Sequence, residues 1–261
     1  MYYIKRFFLQ QIAKYKLITF ILHKAWVIYL VFRSKYLYFL FFKLKKKINS
    51  LSDRGQDKWI IDIFDLKKRK YKGFFLEIGG GDGFSNSNSF ILENYHDWSG
   101  ILIEPDPDQF KLLKINRPKT LSSNKLIYDK TTKLNFLKDG ELSKIIIEDN
   151  KINRKNIINI ETITLNNLLS KFKAPKIIDF FSLDVEGSED KVLIEDVLKN
   201  YIFLSLCIER PSSKLHNLLS RYNYVFIRSN LYDYFYINKK FNNFEKLYLN
   251  KKKFTGFYNT K

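Results

Sequence analysis

A glycine-rich loop and a distant carboxylate are the residues of this chain best suited to hold a ligand. The segment 77–83 reads E-I-G-G-G-D-G and follows the apolar run Phe74-Phe75-Leu76, and Glu104 ends a second apolar run 25 residues after Gly79. Only glycine lets a backbone turn this tightly and touch a ligand. A strand that breaks into glycines, followed by a strand that ends in a carboxylate, indicates a Rossmann-like nucleotide site. The spacing predicts an adenosine-type cofactor whose two ribose hydroxyls bind Glu104.

The register of the glycines separates the classes of cofactor. A dinucleotide fingerprint G-x-G-x-x-G that began at Gly79 would need glycine at Phe84, and one that began at Gly81 would need glycine at Asn86. Both fail. The pattern present, E-x-G-x-G-x-G, resembles motif I of S-adenosylmethionine (AdoMet) methyltransferases, in which the loop passes beside the amino acid end of the cofactor. From the residues alone, the alternative is a glycine turn without a ligand.

A second group of acids ends later apolar segments. Asp184 and Glu186 follow the run 177–183, and Glu209 follows the run 201–208. The carboxyl ends of parallel strands share one edge of a sheet, so these acids are expected beside the glycine loop. Methyl transfer to an alcohol requires removal of the hydroxyl proton, and a carboxylate can accept it, which predicts catalytic roles for Asp184 and Glu186. The alternative is that Asp184 orders the turn and Glu186 caps the next helix.

Two further predictions concern a metal and the adenine base. Asp184, Glu186 and Glu209 offer the hard oxygen ligands that Mg²⁺ prefers, but no fixed ligand spacing supports a metal site, so metal-free transfer is expected. Asp129, which follows the short run 126–128, is predicted to meet the adenine amino group or else to be a solvated loop residue. The residues predicted to bind the cofactor are Glu77, Gly79, Gly81, Asp82, Gly83, Glu104 and Asp129.

Six segments resemble the FkbM-type methyltransferase family in order and spacing, over roughly residues 50 to 240. They are 52–60, 75–83, 87–89, 98–107, 116–118 and 178–189. The resemblance implies an AdoMet-dependent methyltransferase that O-methylates a hydroxyl of a glycan or a glycosylated metabolite. One departure lies in the loop, where the family more often reads G-A-N-D-G and this chain reads Gly79-Gly80-Gly81-Asp82-Gly83.

Alternating apolar segments and helix signals predict an α/β fold for residues 51–261, Rossmann-like, with a mostly parallel, doubly wound sheet. The resemblance implies a class I methyltransferase fold and adds an antiparallel last strand. The predicted strands are 73–78, 100–104, 126–128, 177–183 and 201–208, with 224–227 and 234–237 as a closing hairpin.

Two polar segments are predicted to begin helices. Asp106 precedes Pro107, and this pair suits an N-cap and a first helical turn. Arg54, Gln56 and Asp57 form a polar trio ahead of the first strand. The trio is predicted either to fold over the cofactor or acceptor, or to supply Asp57 as the start of a helix.

The first fifty residues differ from the rest of the chain. They contain 11 basic residues and no acidic one, with many aromatic side chains, in a protein of net charge +19. This predicts a helical extension, residues 1–50, that lies on an anionic membrane surface. Its longest uncharged stretch, Ala25–Phe32, is much shorter than the roughly 20 residues of a membrane span. The alternatives are a helical cap packed on the catalytic domain and a lysine excess that reflects composition alone.

Composition and charge also limit the class of function. The lone Cys207 excludes an internal disulfide and favours a reducing, cytoplasmic location, at the inner face of the membrane if the extension binds there. The charge favours an RNA methyltransferase or nucleic-acid-binding protein as one alternative, but no RNA motif is present and no specific nucleic acid is expected. A non-catalytic membrane-surface protein on a Rossmann-like scaffold is the other. The expected function is an AdoMet-dependent methyltransferase with a small-molecule or glycan acceptor.

Overall fold

The computed structural model describes residues 50–140, 143–146, 156–242 and 244–245, together with Ala25 and Tyr29. The predictions for the N-terminal extension therefore lie almost wholly outside the described residues. In the part that is described, no helix has the length and apolar character needed to cross a membrane.

Strands and helices alternate along most of the described chain. In chain order the elements are α1 (Gln56–Ile63), β1 (Phe74–Ile78), α2 (Phe90–His96), β2 (Ser99–Ile103), α3 (Pro107–Asn116), β3 (Leu121–Ser123), β4 (Leu126–Ile127), β5 (Lys133–Leu137), β6 (Lys144–Ile146), β7 (Ile157–Ile163), α4 (Leu165–Lys171), β8 (Ile177–Leu183), α5 (Glu189–Val192), α6 (Glu195–Asn200), β9 (Ile202–Glu209), α7 (Ser213–Arg221), β10 (Tyr224–Asn230) and β11 (Asp233–Asn238).

Seven strands form the main sheet, in the order β10-β11-β9-β8-β1-β2-β3. The pairs β3–β2, β2–β1, β1–β8 and β8–β9 are parallel. Strand β11 is antiparallel to both β9 and β10. The α/β class, the largely parallel sheet and the antiparallel last strand are thus confirmed.

The central strands are apolar because both of their faces are covered. Strand β8 is buried from Ile178 to Leu183, and its neighbouring side chains Phe180 and Phe181 are both fully buried although they point to opposite faces of the sheet. A continuous apolar run of this kind is typical of a strand inside a parallel sheet. The buried run ends at Leu183, so Asp184 is the first residue beyond the core on this strand.

The third strand of the main sheet differs from the predicted one. Residues 121–123 form β3, while Leu126 and Ile127 form β4 in a second sheet of order β4-β7-β5-β6. Strand β3 has one neighbour only, and Leu121 is 44% exposed, so this edge strand carries little apolar signal. Strand β7 is also largely half-buried, although it is paired on both sides, and the second sheet was not predicted.

Both helix-start predictions correspond to observed side-chain contacts. Asp106 caps α3, where its carboxylate accepts hydrogen bonds from the backbone N–H of Asp108 (2.8 Å) and of Gln109 (3.4 Å), with Pro107 in the first turn. Asp57 is fully buried in the first turn of α1 and accepts a hydrogen bond from the N–H of Leu51 at 2.7 Å. It thereby ties the preceding segment to the helix.

Candidate functional site

Four parallel strands bring their carboxyl ends into one line. Ile78 at the end of β1 is in register with Ile103 of β2 and with Leu183 of β8, and Leu183 is in register with Ile208 of β9. The residues that follow these positions are Gly79, Glu104, Asp184 and Glu209. The main sheet therefore places the glycine loop, the predicted ribose ligand and the predicted catalytic acid side by side.

Three of the four glycines in the loop serve different purposes. Gly79, Gly81 and Gly83 all have positive φ values, of 87°, 53° and 74°. A Cβ atom on Gly79 would lie 2.1 Å from the carbonyl oxygen of Asp184, and one on Gly83 would lie 2.9 Å from Cγ of Arg117. A Cβ atom on Gly81 would meet nothing within 4 Å. Two glycines thus let the protein pack against the loop, and Gly81 presents bare backbone to open space.

Glu104 is a buried carboxyl with unused acceptor capacity. It is 6% exposed, and its two oxygens accept hydrogen bonds from the N–H groups of Gly81 and Asp106, both at 2.8 Å. Burial outweighs these two bonds and raises the pKa of Glu104 to about 7. Each carboxylate oxygen has a second lone pair, so the group can also accept two hydroxyl donors.

Glu77 lies behind the loop. Its carboxylate accepts hydrogen bonds from the N–H of Asn88 (2.8 Å) and from the hydroxyls of Ser87 (3.2 Å) and Ser89. Burial away from water raises the pKa of Glu77, although Arg117 and these hydrogen bonds act to lower it. In the structure Glu77 ties residues 87–89 to β1, and its direct contact with a cofactor stays a prediction.

Asp82 and Asp129 differ in how far the protein satisfies them. The Asp82 carboxylate accepts hydrogen bonds from the N–H groups of Phe84 (2.9 Å) and Ser85 (2.6 Å), so it shapes its own turn. One oxygen of Asp129 pairs with Nζ of Lys191 at 2.8 Å. Its other oxygen is buried and has no hydrogen-bond partner among the described residues. A buried acceptor in this state suits an amino-group donor.

Three carboxyls meet where β8 and β9 end. Oxygen atoms of Asp184, Glu186 and Glu209 all lie within 4.8 Å of one another. The pKa of Asp184 is raised to about 9, chiefly because burial removes water from the carboxyl and secondly because Glu209 and Glu186 lie close by. Asp184 keeps an exposed surface, and the closeness of two further carboxyls alone requires a rise, because like charges disfavour ionisation.

Arg210 offsets part of this negative charge. Its Nη1 lies 3.1 Å from Oε1 of Glu209 and 3.6 Å from Oε2 of Glu186. Its guanidinium lies 4.1 Å from the ring centre of Tyr232, whose backbone oxygen accepts a hydrogen bond from the N–H of Arg210 at 2.8 Å. The tyrosine is 48% exposed. An arginine and an exposed aromatic ring therefore border the acids.

The start of α1 and the residues just before it reach the same side of the site. Nε2 of Gln56 donates a hydrogen bond to Oδ2 of Asp233 at 2.9 Å, and Nε of Arg54 lies 3.8 Å from the same oxygen. Asp233 is the register partner of Glu209 in the β11–β9 pair. The polar trio of the sequence thus touches the strand next to the acids through Arg54 and Gln56, while Asp57 anchors the segment.

Sequence reasoning missed Glu189, which holds the turn between β8 and α5. Its carboxylate faces the N–H groups of Gly187 (3.1 Å) and Val185 (3.4 Å). Glu189 thus orders the turn ahead of α5, and Glu186 faces Arg210. An acid in the first turn after a glycine was the available signal.

The chain matches the model of a known protein family. The model of the "Methyltransferase FkbM domain" matches residues 77–235. No curated protein matches the chain.

Several solved structures show a distant likeness. The METTL16 MTase domain is 14% identical to this chain, with a TM-score of 0.39. The likeness covers 69% of this chain and 64% of the METTL16 chain. A precorrin-6y C5,15-methyltransferase from Geobacter metallireducens is 10% identical, and the likeness covers 68% of this chain and 86% of that one (TM-score 0.36). TrmK of M. capricolum, solved with S-adenosylhomocysteine, is 14% identical, and the likeness covers 70% of this chain and 68% of that one (TM-score 0.35).

The family model covers well over half of the 261 residues. It spans the glycine loop, Glu104 and the three carboxyls at the ends of β8 and β9. The chain belongs to the FkbM methyltransferase family and is an AdoMet-dependent methyltransferase.

Proposed function

We propose that the enzyme O-methylates a hydroxyl group of a glycan or a glycosylated metabolite, with Asp184 as the base. The observation that carries this proposal is the position of Asp184, one residue beyond β8 and beside the glycine loop. Its N–H donates to the carbonyl of Ile78 at 3.1 Å, and its own carbonyl packs on Gly79. AdoMet supplies an activated methyl group when bound, so the protein has to orient the acceptor and remove its proton.

Gly81, Glu104 and Asp129 each have a feature that fits the cofactor. Gly81 leaves room for close approach, Glu104 has two free lone pairs for the ribose hydroxyls, and Asp129 has an unsatisfied oxygen for the adenine amino group. We assign the cofactor to this edge of the sheet. Glu77 and Asp82 then support the loop through the contacts described above.

The character of the acid cluster supports a hydroxyl-rich acceptor. Ionised carboxylates only accept hydrogen bonds, so Glu186 and Glu209 suit an acceptor that presents several hydroxyl donors. Burial, and then the neighbouring Glu209, keep the pKa of Asp184 high and make it a stronger base once ionised. The resemblance to FkbM-type enzymes favours a sugar as the source of those hydroxyls.

Metal-free transfer is the reaction we propose, although the three carboxyls could hold a divalent ion. Arg210 already lies against Glu186 and Glu209 and supplies positive charge where a metal would. A metal ion bound to these carboxylates would lie close to the guanidinium, and the repulsion between the two positive charges disfavours it. The arginine therefore supports proton transfer to Asp184 without a Lewis acid.

The N-terminal extension, we propose, holds the enzyme at an anionic membrane surface. The support is the sequence alone: 11 basic residues among the first fifty, no acidic ones, and interleaved aromatic residues. Such a segment binds by charge and by shallow insertion of its aromatic rings. A membrane-bound glycolipid is then within the reach of the enzyme as an acceptor.

Transfer of a labelled methyl group tests the acceptor class. The full-length enzyme is incubated with isotopically labelled AdoMet and, separately, with neutral oligosaccharides, glycolipids and RNA. We expect the label in an alkali-stable ether on carbohydrate. Label in RNA alone would contradict the proposed acceptor and leave the methyltransferase assignment intact.

A further inference from the structure

Two segments that resemble the family, 87–89 and 116–118, contact Glu77 and Gly83. They meet at the end of the glycine loop, next to Gly83. The meeting point is Arg117, which is 1% exposed although it carries a full charge. Burial of an arginine is costly unless every donor is paired, so its partners indicate what it is there to hold.

Arg117 binds the end of the loop. Its Nη1 donates to the carbonyl oxygen of Gly83 at 3.2 Å and to the hydroxyl of Ser87 at 3.3 Å, and its Nη2 donates to the hydroxyl of Ser89 at 3.2 Å. Its charge is balanced by an ion pair with Glu93. One planar guanidinium thus joins the loop to the start of α2.

Asn116, the preceding residue, binds the loop one position earlier. Its Nδ2 donates to the carbonyl oxygen of Asp82 at 2.8 Å, and the residue is 2% exposed. Two successive carbonyls of the loop, those of Asp82 and Gly83, are therefore fixed by two successive side chains. Neither side chain has exposed surface with which to reach a ligand.

Helix α3 connects both parts of the cofactor site. At its start, the N–H of Asp106 donates to Glu104 at 2.8 Å. At its end, Asn116 and Arg117 hold the loop, and Leu113 packs where a Cβ atom on Gly83 would lie. The helix sets the distance between the carboxylate that takes the ribose and the loop that takes the amino acid end.

We propose that Asn116 and Arg117 are positioning residues, which hold the loop in its binding conformation before AdoMet arrives. A loop with three glycines at positive φ loses much conformational entropy when it is ordered. Fixing it in advance removes that cost from cofactor binding. This inference rests on the proposed role of the loop as the cofactor site.

Two matched substitutions test the proposal. Asn116→Ala removes an amide donor to a loop carbonyl, and Asn94→Ala removes the same kind of donor, from Nδ2 to the carbonyl of Phe90 (3.1 Å) within α2. S-adenosylhomocysteine is titrated by calorimetry into both variants, below their melting temperatures. We expect similar small losses of Tm in both, and a Kd about tenfold higher in Asn116→Ala alone, as for one lost hydrogen bond.

Arg117→Lys provides a second variant. Lysine keeps the charge opposite Glu93 but lacks the planar fork that reaches Gly83, Ser87 and Ser89 together, so the Kd should again rise about tenfold. Wild-type affinity in both Asn116→Ala and Arg117→Lys would overturn the proposal. Equal weakening in Asn94→Ala would also overturn it, because general destabilisation would then explain the effect.

Gly81→Ala separates this proposal from the one on which it rests. If Gly81→Ala weakens binding while the Asn116 and Arg117 variants bind normally, the positioning role alone is wrong. If Gly81→Ala itself binds normally, the loop is not the cofactor site, and the positioning role fails with it.

Discussion

At the scale of single residues, Glu104 makes a pH-dependent prediction about cofactor binding. Its pKa of about 7 means that the free protein holds a proton there in acid. Only the ionised carboxylate can accept both ribose hydroxyls, so binding releases that proton. The affinity for S-adenosylhomocysteine should therefore fall about tenfold for each pH unit below about pH 7.

Calorimetric titrations between about pH 5.5 and 8 measure this dependence. Glu104→Gln should bind weakly with a flat pH profile, because the amide does not titrate. Glu104→Ala should lose roughly 1 to 3 kcal/mol at pH 8, the worth of charge-assisted hydrogen bonds. An unchanged affinity in Glu104→Ala would remove this residue from the cofactor site.

Gly81 is better suited than the other loop glycines to test whether the cofactor approaches the loop backbone closely. Gly81 and Gly140 both have positive φ (53° and 63°), and a Cβ atom on either would meet nothing within 4 Å. Alanine at each position should therefore cost a similar strain of about 1 kcal/mol. Only Gly81→Ala should also raise the Kd for S-adenosylhomocysteine, and the bulkier Gly81→Val should abolish binding. Equal affinities in Gly81→Ala and Gly140→Ala would show that the cofactor does not approach this backbone.

The sequence indicated the residues at strand ends and missed those that act across the fold. Gly79, Glu104 and Asp184 could be found because each follows an apolar run, and parallel strands end at one edge. The structural role of Arg117 could not, although the resemblance includes residues 116–118, because its partner Ser87 lies 30 positions away in the chain. A lone arginine before a proline shows no pattern of hydrophobicity or spacing that reveals burial.

At the scale of elements, the apolar strands of the sheet were predictable and the polar edge was not. Strand β8 was found with its bounds, because a strand covered on both faces is apolar at every position. Strand β3, at the edge, consists of one leucine and two serines, and β7 mixes apolar and polar residues, so neither shows the continuous apolar run of β8. The displaced third strand also means that Asp129 follows a strand of the second sheet.

The meeting of the ends of β8 and β9 yields a prediction about metals. Arg210 supplies the positive charge beside Glu186 and Glu209, so treatment with a chelator should leave the rate of methyl transfer unchanged. Loss of activity that Mg²⁺ restores would show that the three carboxyls hold a metal.

At the scale of the whole molecule, the charge of the first fifty residues predicts where the enzyme works. Each basic residue near anionic lipid contributes on the order of 1 kcal/mol before salt screening. The full chain should sediment with vesicles that contain phosphatidylserine and be released by high salt. A chain that begins near Ser50 should stay in the supernatant.

Two outcomes would contradict this prediction. Extraction that requires detergent would indicate deeper insertion than we propose. Failure of the full chain to bind vesicles would favour a helical cap packed on the catalytic domain, with a charge that reflects composition.

The most direct test of the whole account is methyl transfer by Asp184→Asn, followed with labelled AdoMet and the acceptor found for the wild type. Asp190→Asn is the matched control, because Asp190 lies outside the three carboxyls and accepts a hydrogen bond from Ser212 at 2.6 Å. We predict that Asp184→Asn loses about 10² in kcat and keeps its affinity for S-adenosylhomocysteine, while the wild-type rate rises with pH as the raised pKa of Asp184 requires. Full activity in Asp184→Asn, equal to that of Asp190→Asn, would contradict the account.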